Sequence, residues 1–163
     1  MTATAAVRTA AATNPPHLRP RRKAGIRSED GGKTTYKPMD NFGFLKVAAA
    51  VPHVRVGDCD FNTERIAAMA EEAVQRGVEI VAFPELAVTA YTCADLLLQP
   101  ALLDAADEAL ERLVRATRKL PLTLIAGAPL RHGSTLYNCA VVFTQGKVLG
   151  VVPKTYIPDY GEF

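Results

Sequence analysis

The chain has 163 residues, a length suited to one domain of ordinary size, and 48% of them are hydrophobic, enough to build a core. No apolar run is long enough to span a bilayer, and three cysteines (Cys59, Cys93, Cys139) without CxxC spacing argue against a disulfide scaffold or a zinc site and for a reducing, cytoplasmic setting. The net charge of +2 is unevenly spread: residues 1–38 hold eight of the 19 basic residues and two of the 17 acidic ones, leaving 11 basic against 15 acidic in 39–163, so the body is mildly acidic and offers no basis for nucleic-acid binding.

Residues 1–38 are rich in Ala, Thr, Pro and Arg and show no sustained apolar period, which predicts an unfolded head. The adjacent prolines of "NPPHLRPRR" cannot sit inside a helix. The head reads as a disordered extension or a mis-called start, with Met39 the true one; the acid-free, Arg-bearing first 27 residues also loosely fit a transit peptide, but without its amphipathic helix. Residues 39–163 form the domain.

From residue 44 the pattern is ordered. "FLKVAAAVP" predicts a short buried strand ending at Pro52. "NTERIAAMAEEAVQRG" predicts a helix capped by Asn62 or Thr63, with Ile66, Met69, Ala70, Ala73 and Val74 on one face and Gly77 at C′. "VEIVAFP" predicts a strand buried on both faces, and residues 101–119 a second amphipathic helix with Leu103, Ala106, Leu110, Leu113 and Val114 inward. "LTLIAGAP" predicts a further strand, and "LYNCAVVFTQGKVLGVVP" a hairpin turning at Gln145-Gly146. The order predicts an α/β layered domain: a sheet with two main helices and a β-hairpin.

Two charged residues follow strand–proline exits. Glu85 comes directly after "VEIVAFP", at the carboxyl end of a strand, where α/β sheets place their sites. Partial desolvation there would raise its pKa toward that of a general base, although an exposed loop glutamate or helix-capping acid fits the position too. Lys154 follows "VLGVVP" in the same way and could hold a developing oxyanion as a fixed positive charge; alone it also reads as a surface lysine. No cysteine stands out as a nucleophile. Asp58 and Asp60 flank Cys59 and should raise its pKa, Cys139 lies within a strand, and Cys93 lies in a loop without a sharp elbow. The three histidines show no metal spacing, and there is no P-loop or GxGxxG.

"VAFPELAVTAYTCADLL" and "GVVPKTYIPDYGEF", with "MDNFGFLKVAAAVP" and "GAPLRHGSTLYNCAVV", resemble the nitrilase, or carbon–nitrogen hydrolase, superfamily. "YTCADLLLQ" and "KTYIPDYGEF" are most similar to its branch formed by the amino-terminal glutaminase domains of glutamine-dependent NAD(+) synthetases. The resemblance covers about residues 39–163 and implies an α-β-β-α sandwich, of which this segment is a partial, half-layer portion. It implies Glu85 as general base, Lys154 as the oxyanion-holding lysine, and Tyr160, Tyr91 and Glu162 as contacts to substrate glutamine. It also implies a nucleophilic cysteine well beyond the lysine, so a segment ending at Phe163 is expected to be a fragment, inactive alone. No metal or cofactor is expected within the segment. ATP and Mg belong to the implied synthetase domain, which amidates nicotinic acid adenine dinucleotide with the ammonia released, and the full-length protein is expected to be a homo-oligomer. Two alternatives stay open: a fragment of a stand-alone amidase or nitrilase, and a non-catalytic half-domain.

Overall fold

The structure, a computed structural model, describes residues 6–13 and 43–157. Strand β1 (Ala6–Thr13) precedes β2 (Phe44–Val51), helix α1 (Cys59–Gln75) and β3 (Ile80–Ala82). A 3-10 segment (Tyr91–Leu98) leads into α2 (Pro100–Ala116), which closes through a 3-10 turn (Thr117–Lys119). The chain then runs through β4 (Thr123–His132), β5 (Thr135–Thr144) and β6 (Lys147–Pro153). The strands lie in one mixed sheet in chain order. β2, β3 and β4 are parallel, while β1–β2, β4–β5 and β5–β6 are antiparallel.

Strand alternation explains the packing. Ala48 and Ala50 of β2, Val81 of β3, Leu124, Ala126 and Ala128 of β4, and Val141 and Phe143 of β5 form the buried face. The two helices cover it: α1 contributes Ile66, Met69, Ala70 and Ala73, and α2 contributes Ala106, Ala109, Leu110 and Leu113, with Leu103 buried on the same helix. At roughly 25 cal/mol per Å2 of apolar area, each fully buried Leu or Ile contributes on the order of 1.5–3 kcal/mol, so this single layer is the main stabilising element. The α/β class and the two-helix, one-hairpin sheet are therefore as the sequence implies.

Several details differ from the sequence reading. Among residues 1–38, read as lacking regular structure, Ala6–Thr13 form an edge strand that pairs antiparallel with β2 along its whole length. An edge strand is held by ladder hydrogen bonds, so it leaves little apolar period in the sequence. Helix α1 starts earlier than expected. Its cap is Asp58, whose carboxylate accepts the Phe61 N–H at 3.1 Å, and not Asn62 or Thr63, which are buried within the first turns. Gly77 does end α1 in a left-handed conformation (φ 72°). β3 is buried on one face, with Val81 inward and Ile80 and Ala82 half-buried, because the helices cover only one side of the sheet. The strand "LTLIAGAP" continues to His132 and pairs with all of β5, so the carboxyl-terminal half is a three-stranded meander with turns at Gly133 and at Gln145-Gly146. Gln145 and Gly146 both have positive φ (47° and 76°), the requirement of a type I′ turn. No helix among the described residues is long and apolar enough to cross a membrane.

Candidate functional site

β3, β4 and β6 all run in one direction, since β5 is antiparallel to both of its neighbours. The exits after β3 and β6 therefore reach the same edge of the sheet, the carboxyl end of its parallel strands. Glu85 and Lys154, 69 residues apart, meet there: Lys154 Nζ donates to Glu85 Oε1 at 2.7 Å. Both side chains are about one-third exposed, 37% for Glu85 and 30% for Lys154, so the pair sits at the mouth of the site and not in the core.

The turn carrying Glu85 is built against glycine. Pro84, Glu85 and Leu86 fold over β4 at Gly127, where an added Cβ would lie 2.4 Å from Leu86 N, 2.5 Å from Pro84 O and 2.8 Å from Glu85 C. Only a residue without a side chain permits that approach. Phe83 N–H donates to Ile125 O before the turn (2.8 Å) and Val88 N–H to Gly127 O after it (3.1 Å), so the turn is pinned to β4 on both sides. Asn62 reinforces it from α1. Its buried amide donates to Arg55 O and Val88 O, at 2.8 and 3.0 Å, and its carbonyl accepts the Arg55 N–H at 2.7 Å. The segment also carries three non-glycine residues at positive φ, Leu86 (51°), Ala90 (73°) and Ala94 (48°). Backbone held in such regions clusters at functional sites.

Lys154 owes its placement to a β-bulge. From the Gln145-Gly146 turn the ladder pairs Thr144 with Lys147 and Phe143 with Val148, then shifts so that Val142 pairs with Gly150 and Cys139 with Pro153. Leu149 is the extra residue. The shift brings Lys154 opposite Asn138, whose carbonyl accepts the Lys154 N–H at 2.8 Å. Asn138 is a site residue that sequence reasoning missed. Its side-chain amide also donates to Glu85 Oε1, at 2.5 Å. The residue stands within "LYNC", and strand alternation places it on the face opposite buried Cys139, but only the bulged register reveals its partner.

The electrostatics correct one expectation. The Glu85 carboxyl is held below its ordinary value, not raised. The hydrogen bond from Lys154 is the largest cause, burial opposes it, and the Asn138 hydrogen bond and the Lys154 charge add to the lowering. Glu85 is thus ionised at neutral pH. Burial was the anticipated influence, but an opposite charge in direct contact outweighs it on a group this exposed.

Beside Lys154 opens a cleft of about 690 Å3, with apolar walls that include Leu86, Leu97, Leu98 and Leu136 and with Asn138 and Lys154 among its polar groups. An apolar cleft with a few convergent polar groups suits a small ligand. Asp95, following the kink at Ala94, is the acid among its lining residues. Tyr137 lines the cleft, while Tyr91 is exposed at the start of the 3-10 segment and is not among the lining residues. Tyr160 and Glu162 lie outside the described residues.

The three cysteines are all buried. Burial pushes the Cys59 thiol up to about 11, with Cys93, Asp60 and Asp58 adding to it, so the flanking acids act as expected but rank below desolvation. Burial raises Cys139 as well. Cys93 lies in the 3-10 segment, not an open loop, and its thiol faces Thr89 O at 2.9 Å. A thiol so placed is a packing group, not an activated nucleophile. Among the described residues no group of three or more His, Cys, Asp or Glu could hold a metal ion.

Comparison with known proteins identifies the family. Residues 46–162 match the family model described as carbon–nitrogen hydrolase. The glutamine-dependent NAD(+) synthetase of Mycobacterium tuberculosis is 46% identical over 121 residues, 74% of this chain and 18% of the relative. That of Aquifex aeolicus is 34% identical over 119 residues, 73% of this chain and 21% of the relative. The chain spans about a fifth of the length of such curated relatives. Among solved structures, a glutamine-dependent NAD(+) synthetase from Cytophaga hutchinsonii superposes with a TM-score of 0.67 at 28% identity, over 72% of this chain and 20% of that one. An amidase from Nesterenkonia sp. superposes with a TM-score of 0.62 at 22% identity, over 72% of this chain and 45% of that one, a likeness of fold. With the model match running through β2, both helices and the strands that deliver Glu85 and Lys154, the chain belongs to the carbon–nitrogen hydrolase family.

Proposed function

We propose that this chain is the glutaminase portion of a glutamine-dependent NAD(+) synthetase and supplies two of the groups that hydrolyse glutamine to glutamate and ammonia. The observation that carries the reading is the Lys154–Glu85 contact at the common strand edge, beside a cleft of small-ligand size. Similarity to synthetases at up to 46% identity supports the choice of glutamine over another amide.

The chemistry follows from the charges. Glu85, ionised, takes the proton of a thiol, and the thiolate attacks the side-chain amide carbon of glutamine. Lys154 holds the negative charge that builds on the amide oxygen. The C–N bond breaks as Glu85 returns its proton to the departing nitrogen, which leaves as ammonia. Glu85 then takes a proton from water as the hydroxide adds to the thioester carbon; the C–S bond breaks, Glu85 returns that proton to the departing sulfur, and glutamate is released with the thiol restored. The buried Cys59, Cys93 and Cys139 are unsuited to the nucleophile's role. The resemblance assigns that role to a cysteine downstream of Lys154. In this reading Tyr160, Tyr91 and Glu162 contact the glutamine.

No step of this reaction runs through ATP or magnesium. Both belong to the synthetase domain of the longer relatives, the partner that would consume the ammonia in a cytoplasmic ligase assembled as a homo-oligomer. The test is ammonia release from glutamine by the complete gene product that carries this segment. Glu85→Gln and Lys154→Met should each lower kcat/KM by about 100-fold or more. Parent-like turnover in both variants would overturn the reading.

A further inference from the structure

Two hydrogen bonds from one residue reach both members of the charged pair. The Asn138 side chain meets Glu85 Oε1 at 2.5 Å, and the Asn138 carbonyl accepts the Lys154 main-chain N–H at 2.8 Å. An ionised carboxylate only accepts hydrogen bonds, so the amide group facing it is the NH2 and the orientation of Asn138 is settled by its neighbour. Among the described residues, the donors to Glu85, Lys154 Nζ and Asn138 Nδ2, both fall on Oε1. Among the described residues no donor is placed on Oε2. The Glu85 carboxylate is therefore held through Oε1 by two donors from different strands.

We propose that Asn138 is the positioning residue of this site, clamping Glu85 through its side chain and Lys154 through its main chain, so that the carboxylate is held ionised and in place to take up a proton. The step from clamp to proton transfer rests on the reaction proposed above; the clamp itself does not. Asn138 bonds both members of the pair, and in this proposal it acts through them. Its strand is the right place for such a part. β5 pairs with both β4, which carries the Glu85 turn on Gly127, and β6, which delivers Lys154. A residue on a central strand holds its partners more tightly than one on a loop.

The experiment titrates the Glu85 side-chain carboxyl carbon by NMR in the 163-residue chain. Asn138→Ala removes the donor, and Asn138→Asp replaces it with a second carboxylate. The Glu85 midpoint should move upward in Asn138→Ala and further upward in Asn138→Asp, because a lost donor and then a like charge both disfavour the ionised form. Thr117→Ala serves as the control for general destabilisation, since it removes a buried hydroxyl that bonds Leu113 O and Val114 O at the far end of α2. It should leave the Glu85 midpoint in place. An unmoved midpoint in Asn138→Ala, or an equal rise in Thr117→Ala, overturns the clamp. The titration needs no turnover, so it fails or succeeds independently of the glutaminase reading. In the complete gene product, the acid limb of the kcat/KM profile should shift upward in Asn138→Ala with the NMR midpoint. An acid limb that stays fixed while the midpoint moves overturns the assignment of the proton to this carboxylate.

Discussion

Replacing Gly127 with alanine tests whether the Glu85 turn is built on a bare backbone. The added Cβ would lie 2.4 Å from Leu86 N, 2.5 Å from Pro84 O and 2.8 Å from Glu85 C, against an ordinary contact distance of at least 3.4 Å. All three neighbours are main-chain atoms, so no rotamer change relieves the overlap; either the turn or β4 must move. Overpacking of a well-packed site costs typically about 1–3 kcal/mol. Three simultaneous backbone contacts place Gly127→Ala at the upper end, about 3 kcal/mol, within the roughly 5–15 kcal/mol that holds a domain together. For a chain of this size that corresponds to a fall of about 6–12 °C in Tm. Gly150→Ala is the matched control: it too lies in the sheet, but nothing stands within 4 Å of its Cβ position, so its stability should stay within about 0.5 kcal/mol of the parent. Urea unfolding followed by circular dichroism reads both. A Gly127→Ala chain as stable as the parent, or a Gly150→Ala chain equally weakened, would refute the reasoning.

Ala90 has φ 73° and ψ 146°, close to a region that only glycine occupies readily, and such strain costs on the order of 1–3 kcal/mol. Ala90→Gly should therefore raise the unfolding free energy by about 1 kcal/mol after the entropic cost of glycine, seen as a higher urea midpoint, and a lowered midpoint would show that the strain is absent. Cys59, raised from 9.0 to about 11, favours its neutral form in the fold; its contribution to stability is complete below pH 9 and is lost as pH rises toward 11. Unfolding followed through that window should show the decline in the parent and less of it in Cys59→Ala, and iodoacetamide at pH 8 should leave the folded thiol unmodified while it alkylates the unfolded chain. Glu85 has the opposite sign: its folded pKa lies below 4.5, so its contribution is present above that value and is lost as pH falls through the folded one. The effect is modest because the pair is partly exposed and screened by salt, and Lys154→Met should flatten the acid side of the stability profile; an unchanged acid limb would deny the coupling.

The parts of the site that could be read from the sequence are those whose signal is local. Glu85 and Lys154 each follow an apolar strand and a proline, and a charged residue at a strand exit is conspicuous wherever the sheet places it. The helices were legible in the same way, since Ile66, Met69, Ala70 and Ala73 repeat at helical spacing. The cap of α1 was not, because Asp58, Asn62 and Thr63 are all competent capping residues and tertiary hydrogen bonds decide among them. Asn62 is drawn inside by its bonds to Arg55 and Val88, which leaves Asp58 to meet the Phe61 N–H. The lowered pKa of Glu85 was illegible for a related reason. Burial can be guessed from a strand end, but the distance to a cation 69 residues away cannot.

Asn138 and Gly127 were hidden for a deeper reason: their roles depend on register. Side chains alternate along a strand with a period of two, so a one-residue slip exchanges the faces of every residue beyond it. Counted from the Gln145-Gly146 turn without interruption, the ladder that pairs Thr144 with Lys147 would bring Lys154 across from Tyr137, on the side of the sheet that carries Cys139, Val141 and Phe143. That side belongs to the helices. The extra residue at Leu149 exchanges the faces once, and Lys154 arrives opposite Asn138 with its ammonium against Glu85. The apolar run "KVLGVV" is compatible with either register, since valine and leucine are tolerated on both faces. What separates them is the three-way contact itself. Only the bulged ladder brings together a cation, a carboxylate and an amide that satisfy one another; the uninterrupted ladder would turn the Lys154 side chain to the helix-covered face, away from Glu85. The bulge in β6 and the contact among Lys154, Glu85 and Asn138 are thus one structural feature, not two.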